Sequence, residues 1–81
     1  MLLSFSNAQS LHITIETKSE VYTVYTNDII FVEARDRKIT VYTTNGSYIS
    51  IHSMNYWVDK LARLSFFQTH KSFLINLKYV C

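Results

Sequence analysis

Residues 29–51 read IIFVEARDRKITVYTTNGSYISI, and the way this stretch divides decides the fold. Ile29-Ile30-Phe31-Val32 is continuously apolar, as a deeply buried strand would be. Arg35-Asp36-Arg37-Lys38 interrupts it, after which Ile39, Val41 and Tyr42 resume the apolar pattern. Asn45-Gly46 is a strong hairpin signal, because both residues tolerate the positive φ of a type I′ turn. Tyr48, Ile49 and Ile51 form the returning strand. β-branched and aromatic residues fill all three segments, which suits a pleated, half-buried surface. The stretch therefore predicts three antiparallel strands joined by a basic turn and an Asn-Gly turn.

Upstream, Leu11, Ile13 and Ile15 alternate with His12, Thr14 and Glu16, the period of a half-buried strand. Val21, Tyr22, Val24 and Tyr25 follow across a short turn at Lys18-Ser19-Glu20. Downstream the period changes at Ser53. Met54, Trp57, Val58, Leu61 and Leu64 fall on one face of a helix. Ser53 is placed to accept a backbone N–H as N-cap, and Asp59 with Arg63 forms a favourable i,i+4 pair. The spacing predicts a helix over 54–64 whose aromatic and aliphatic stripe covers a sheet. FFQTHKSFLIN, residues 66–76, and a short apolar run from Leu77 to Val80 complete the chain. The fold class is mainly β: antiparallel strands and hairpins with one amphipathic helix.

Eighty-one residues make one domain, a size that buries only about 60% of its unfolded surface. With one glycine and no proline, the chain lacks the glycines of a phosphate-cradling loop. Its single cysteine, Cys81, forms no internal disulfide, and nothing in the composition calls for an oxidising compartment. Met1-Leu2-Leu3 is too short for a signal peptide, and no apolar run approaches the ~20 residues of a membrane span. The expectation is a soluble, cytoplasmic protein with no membrane partner. Charge is uneven. Residues 1–34 hold Glu16, Glu20, Asp28 and Glu33 against Lys18, a net −3. Residues 35–81 hold seven cations against Asp36 and Asp59, a net +5, which suggests one face for an anion.

Enzymatic chemistry finds little support. His12, His52 and His70 are scattered without metal-ligand spacing, and Cys81 at the terminus is a poor nucleophile. No catalytic residue, metal, cofactor or small-molecule substrate is expected. Binding is better supported. Arg35, Arg37 and Lys38 project from a predicted strand connection, and His70, Lys71 and Ser72 lie between the apolar clusters Phe66-Phe67 and Phe73-Leu74-Ile75. Each segment alone also fits a solvated turn, and His70 alone fits a hydrogen-bonded structural imidazole. Together, two basic loops on rigid strands let a β protein reach phosphates and base edges without a recognition helix.

Asp28-Ile29-Ile30-Phe31-Val32-Glu33-Ala34, the Asn45-Gly46 hairpin, the segment Met54 to Leu64 and above all Phe67-Gln68-Thr69-His70-Lys71-Ser72-Phe73-Leu74-Ile75-Asn76 resemble the LytTR DNA-binding domain. The final motif, Phe-x-x-x-His-(Arg/Lys)-Ser-aromatic-aliphatic-aliphatic-Asn in that family, is complete here in order and spacing. The resemblance spans residues 11–80 and divides the chain into an N-terminal extension, residues 1–10, and a LytTR-like domain, residues 11–81. It implies a bacterial transcription regulator, usually the output half of a two-component response regulator. Its partner is double-stranded DNA, and its loops enter successive major grooves. On that implication Arg35, Arg37 and Lys38, with His70, Lys71 and Ser72, supply base and phosphate contacts, and Asn76 fixes the backbone.

Family domains continue past the asparagine through further strands and another DNA-contacting loop, whereas this sequence ends at Cys81. The expected consequence is an exposed sheet edge, which invites pairing between chains. A rival reading follows: a protein-interaction or oligomerisation module that pairs through exposed β edges, with a homodimer as the simplest form.

Overall fold

The computed structural model describes residues 11–79. The expected extension at residues 1–10 lies outside the described residues, as do Val80, which ends the last apolar run, and Cys81. Among the described residues the strands form two antiparallel sheets. β1 (His12–Glu16) and β2 (Val21–Tyr25) make a two-stranded ribbon. β3 (Ile29–Arg35), β4 (Lys38–Thr43), β5 (Gly46–Ser50), β6 (Phe66–His70) and β7 (Phe73–Asn76) form a five-stranded sheet in the order β5-β4-β3-β7-β6. One helix, α1 (Met54–Lys60), joins β5 to β6. The mainly β expectation holds.

The apolar run at Ile29–Val32 occupies the central strand. It is not uniformly buried: Ile29 and Val32 are fully enclosed, while Ile30 and Phe31 are half-buried. Residues three apart share the core face because the register shifts between Ile29 and Phe31. One extra residue in a strand reverses the parity of the pleat beyond it.

The core forms where α1 and the β1–β2 ribbon cover one face of the large sheet. Ile15 and Val24 from the ribbon meet Ile29, Val32, Val41 and Leu74 from the sheet and Met54, Trp57 and Leu61 from the helical segment. Each fully buried aliphatic side chain of this kind contributes about 1.5–3 kcal/mol. Trp57, with no exposed surface, donates its indole N–H to Ser50 Oγ at 3.0 Å, so the polar edge of the ring is satisfied inside the core.

Ser53 caps α1 as expected: its hydroxyl accepts from Tyr56 N at 3.2 Å. The helix stops at Lys60 rather than Leu64. Leu61 is drawn fully into the core, and the chain must turn there to reach β6. Bonds spanning three residues, from Ala62 N to Asp59 O and from Leu64 N to Leu61 O, close that turn. Arg63 therefore lies beyond the helix, and the expected helical pair with Asp59 does not arise. Tertiary burial has overridden a segment of good helix formers.

Two hairpins of the large sheet also depart from the expected geometry. The Asn45-Gly46 hairpin is present, but its turn residues are Thr44 and Asn45, with Thr43 paired to Gly46. Only Gly46 has positive φ there, at 136°. Thr43 Oγ1 sets the turn by accepting from Asn45 N at 3.1 Å and donating to Gly46 O at 2.8 Å. The tight turn with two positive-φ residues falls instead at Asp36 (52°) and Arg37 (65°). At the second site, Phe66-Phe67 and Phe73-Leu74-Ile75 do not all reach for one core. Phe66 and Leu74 face it, whereas Phe67 is 56% and Phe73 37% exposed on the opposite face. Strand alternation divides each cluster between the two faces. That outer face also carries Phe31, stacked on Tyr42 with centroids 4.4 Å apart.

Candidate nucleic-acid interface

The β3–β4 turn carries the first basic segment. Arg35 pairs with Lys38 at the end of the ladder, and Asp36-Arg37 close it. All four residues are exposed. The β6–β7 turn carries the second: Lys71 and Ser72 connect His70 to Phe73, with a register shift between Gln68 and His70. His70 Nδ1 accepts the Ser72 backbone N–H at 3.1 Å. The imidazole thus serves as a structural acceptor that fixes the turn, and its Nε2 edge remains available for a second contact.

β3 and β7 are antiparallel neighbours, so the end of β3 meets the start of β7. Ala34 N, in β3, donates to Ser72 O at 2.8 Å, tying the β6–β7 turn to the strand that leads into the β3–β4 turn. At a strand spacing of ~4.8 Å, two turns centred two strands apart stand about 10 Å from each other. Arg35, Arg37, Lys38, His70, Lys71 and Ser72 are therefore brought to one end of the sheet. Ser72 is half-buried, and its main chain does the visible work.

A third turn reaches the same end. Ile51 N donates to Glu16 O at 2.9 Å, docking the end of β1 beside the end of β5. This sets the β1–β2 turn, with Lys18 and Ser19 exposed, across a shared depression from Asp36, Arg37 and Lys38. Beside it the His52 ring hydrogen-bonds through Nε2 to the Glu16 carboxylate and stacks on Tyr56, with centroids 3.8 Å apart. Lys18 had no signal in the sequence, since it sits in the acidic half of the chain. Five of the eight lysines and arginines, namely Lys18, Arg35, Arg37, Lys38 and Lys71, cluster here. Among the described residues no hydrogen bond or ion pair engages their side chains, so each charge remains free for an anion.

Asn76 performs the role read for it. It is 1% exposed, donates Nδ2 to Ile29 O at 2.9 Å and accepts from Lys78 N at 3.0 Å. Among the described residues no group of three or more His, Cys, Asp and Glu side chains is placed to hold a metal ion, and no helix is long and apolar enough to cross a membrane.

The geometry is that of a β-sheet module that carries its cations on hairpin tips. The family model for the LytTr DNA-binding domain matches residues 6–81, and the chain belongs to that family. The transcriptional regulatory protein NatR of Bacillus subtilis (strain 168) is 34% identical over 68 residues, 84% of this chain and 29% of NatR. The transcriptional regulatory protein YpdB of Escherichia coli (strain K12) is 35% identical over 54 residues, 67% of this chain and 22% of YpdB. The chain thus spans less than a third of these curated relatives. Among solved structures, a LytTr DNA-binding domain from Bacillus cereus superposes with a TM-score of 0.74 at 23% identity, covering 86% of this chain and 64% of that one.

Proposed function

We propose that this chain binds double-stranded DNA sequence-specifically as the output module of a bacterial transcription regulator, working in the cytoplasm. Arg35, Arg37, Lys38, His70, Lys71 and Ser72 form the contact surface. The observation that carries the reading is the Ala34–Ser72 hydrogen bond, which fixes the β6–β7 turn beside the end of β3, where the β3–β4 turn begins. Turns about 10 Å apart suit one groove and its phosphate rim. Contact with a successive groove, ~34 Å away, then calls for a second copy on a second half-site.

The test is selection from random duplex DNA at two salt concentrations, followed by titration of the recovered sequence. Neutralising about three to five phosphates gives a log–log salt slope of roughly −3 to −4.5. Lys71→Ala relaxes one base position by about 1–3 kcal/mol if Lys71 reads a base. If Lys71 holds only phosphate, the loss is uniform across sequences. Absence of binding at low salt overturns the reading.

A second reading, self-association, is favoured by one observation: Phe67 and Phe73 lie exposed on a sheet face that also carries Phe31 and Ile75. Adjoining apolar residues on a surface commonly mark an interaction site. Sedimentation of the chain and of Phe67→Ser checks it: a salt-insensitive dimer that Phe67→Ser dissociates supports self-association, and a monomer at all concentrations rejects it.

A further inference from the structure

We infer that the β1–β2 turn is a third grip on the DNA backbone, with Lys18 holding a phosphate next to those held by Arg37 and Lys38. This rests on the DNA-binding reading above and extends its footprint to an element that the basic segments of the sequence did not include.

The turn is built to present that lysine. Thr17 N donates to Glu20 O at 2.8 Å, closing a four-residue turn, and the Thr17 hydroxyl accepts from Glu20 N at 3.0 Å. These bonds use the threonine internally and leave Lys18 and Ser19 at the exposed tip. Glu20, the acid of the turn, hydrogen-bonds to the Tyr22 hydroxyl, and Tyr22 is held in turn against Tyr48 with ring centroids 4.6 Å apart. The carboxylate is thereby committed to the strand that follows rather than to Lys18. The Ile51–Glu16 backbone bond then fixes the whole turn to the large sheet.

Between this turn and the β3–β4 turn lies a depression of about 660 Å³. Lys18 and Ser19 stand on one wall, Arg37 and Lys38 on the other, and Ile49 and Ile51 contribute to the floor. Asp36 also borders it, leaving three cations against one acid, a net +2. An anion there gains from three ammonium or guanidinium groups that have no other partner. A DNA strand tracking across Arg37 and Lys38 would bring its next phosphates to Lys18.

The measurement is the salt dependence of binding to the selected duplex for the unsubstituted chain, Lys18→Gln and Lys60→Gln, the last on α1 away from the turn. Loss of one phosphate contact lowers the magnitude of the log–log slope by about 0.9. Equivalently, the affinity ratio between about 50 and about 200 mM salt shrinks by about 3.5-fold for Lys18→Gln. Preference among sequences is unchanged, and Lys60→Gln behaves as the parent. Matching thermal melts establish that the exposed substitutions leave the fold intact. A parental slope in Lys18→Gln, or weaker binding without a change of slope, overturns the inference while the DNA reading stands. If the unsubstituted chain binds no duplex at any salt, the DNA reading itself fails and this inference falls with it.

Discussion

Asn76 Nδ2 donates to the main-chain oxygen of Ile29 at 2.9 Å, joining the last residue of β7 to the first of β3 inside the core. The same side chain accepts from Lys78 N at 3.0 Å and lies 3.4 Å from Ser65 Oγ, so it also fixes the chain on both sides of the β6–β7 hairpin. Asn76→Ala removes these bonds and leaves the buried Ile29 carbonyl without this partner, which costs about 1–3 kcal/mol. For a domain of this size each kcal/mol corresponds to a drop of about 4–8 °C in Tm. A thermal melt within 2 °C of the parent (roughly a few tenths of a kcal/mol) would remove Asn76 from the framework of the hairpin.

The contact between Trp57 and Ser50 makes a similar prediction with a sharper test. Ser50 Oγ accepts both the Trp57 indole N–H and the His52 backbone N–H, each at 3.0 Å. Ser50→Ala strands two donors and is expected to cost about 1–3 kcal/mol. Trp57→Phe removes one of them along with its ring edge. Because the two side chains share a bond, the double variant is destabilised by less than the sum of the single variants, and urea denaturation of all four proteins gives the coupling. Strict additivity would mean that the indole N–H finds another acceptor.

Strand content, the single helix and both basic turns were readable from the sequence, because period-2 alternation and the switch to a helical spacing at Ser53 are local signals. What was not readable depended on tertiary contacts. The helix ends at Lys60 because Leu61 is pulled into the core, and no propensity within Leu61–Leu64 announces that. The tight positive-φ turn sits at Asp36-Arg37 rather than Asn45-Gly46, since the Thr43 hydroxyl supplies the second hairpin with another way to close. Lys18 stands alone among the acidic residues of the first half. Only the docking of β1 against β5 carries it to the end of the sheet where Arg37 and Lys38 stand.

Tyr22 donates its hydroxyl to the Glu20 carboxylate, and this hydrogen bond, reinforced by partial burial and by the negative charge itself, raises the phenol above its ordinary value of 10.0. Tyr42 is raised in the same direction by its bond to Glu33, at 3.2 Å. In both cases the folded state favours the protonated phenol. The stabilisation is therefore fully present below the unfolded value and is lost as pH rises through the raised folded values. Phenolate absorbance in an alkaline titration reads this directly. Glu20→Gln is expected to move one ionisation to lower pH and to leave the neutral-pH fold unchanged; an unmoved titration would mean that the pair is not formed in solution.

Asp36 and Arg37 hold φ angles of 52° and 65° at the tip of the β3–β4 hairpin. The left-handed region costs an ordinary L-residue about 1–2 kcal/mol, asparagine and aspartate less, and glycine nothing. Arg37→Gly gives the turn a preferred Asp-Gly pair while keeping the Asp36 charge. That variant should gain about 1 kcal/mol, a rise of about 4–8 °C in Tm, while losing the Arg37 guanidinium from the interface. Stability and DNA affinity then move in opposite directions. Arg37→Ala separates the two effects: it discards the cation but keeps a side chain in the strained conformation, so affinity falls with little change in Tm. If Arg37→Gly melts no higher than the parent, the turn does not hold positive φ in solution. If it melts higher and binds duplex DNA as tightly as before, Arg37 stands outside the contact surface, and the strained arginine at the hairpin tip is not retained for DNA.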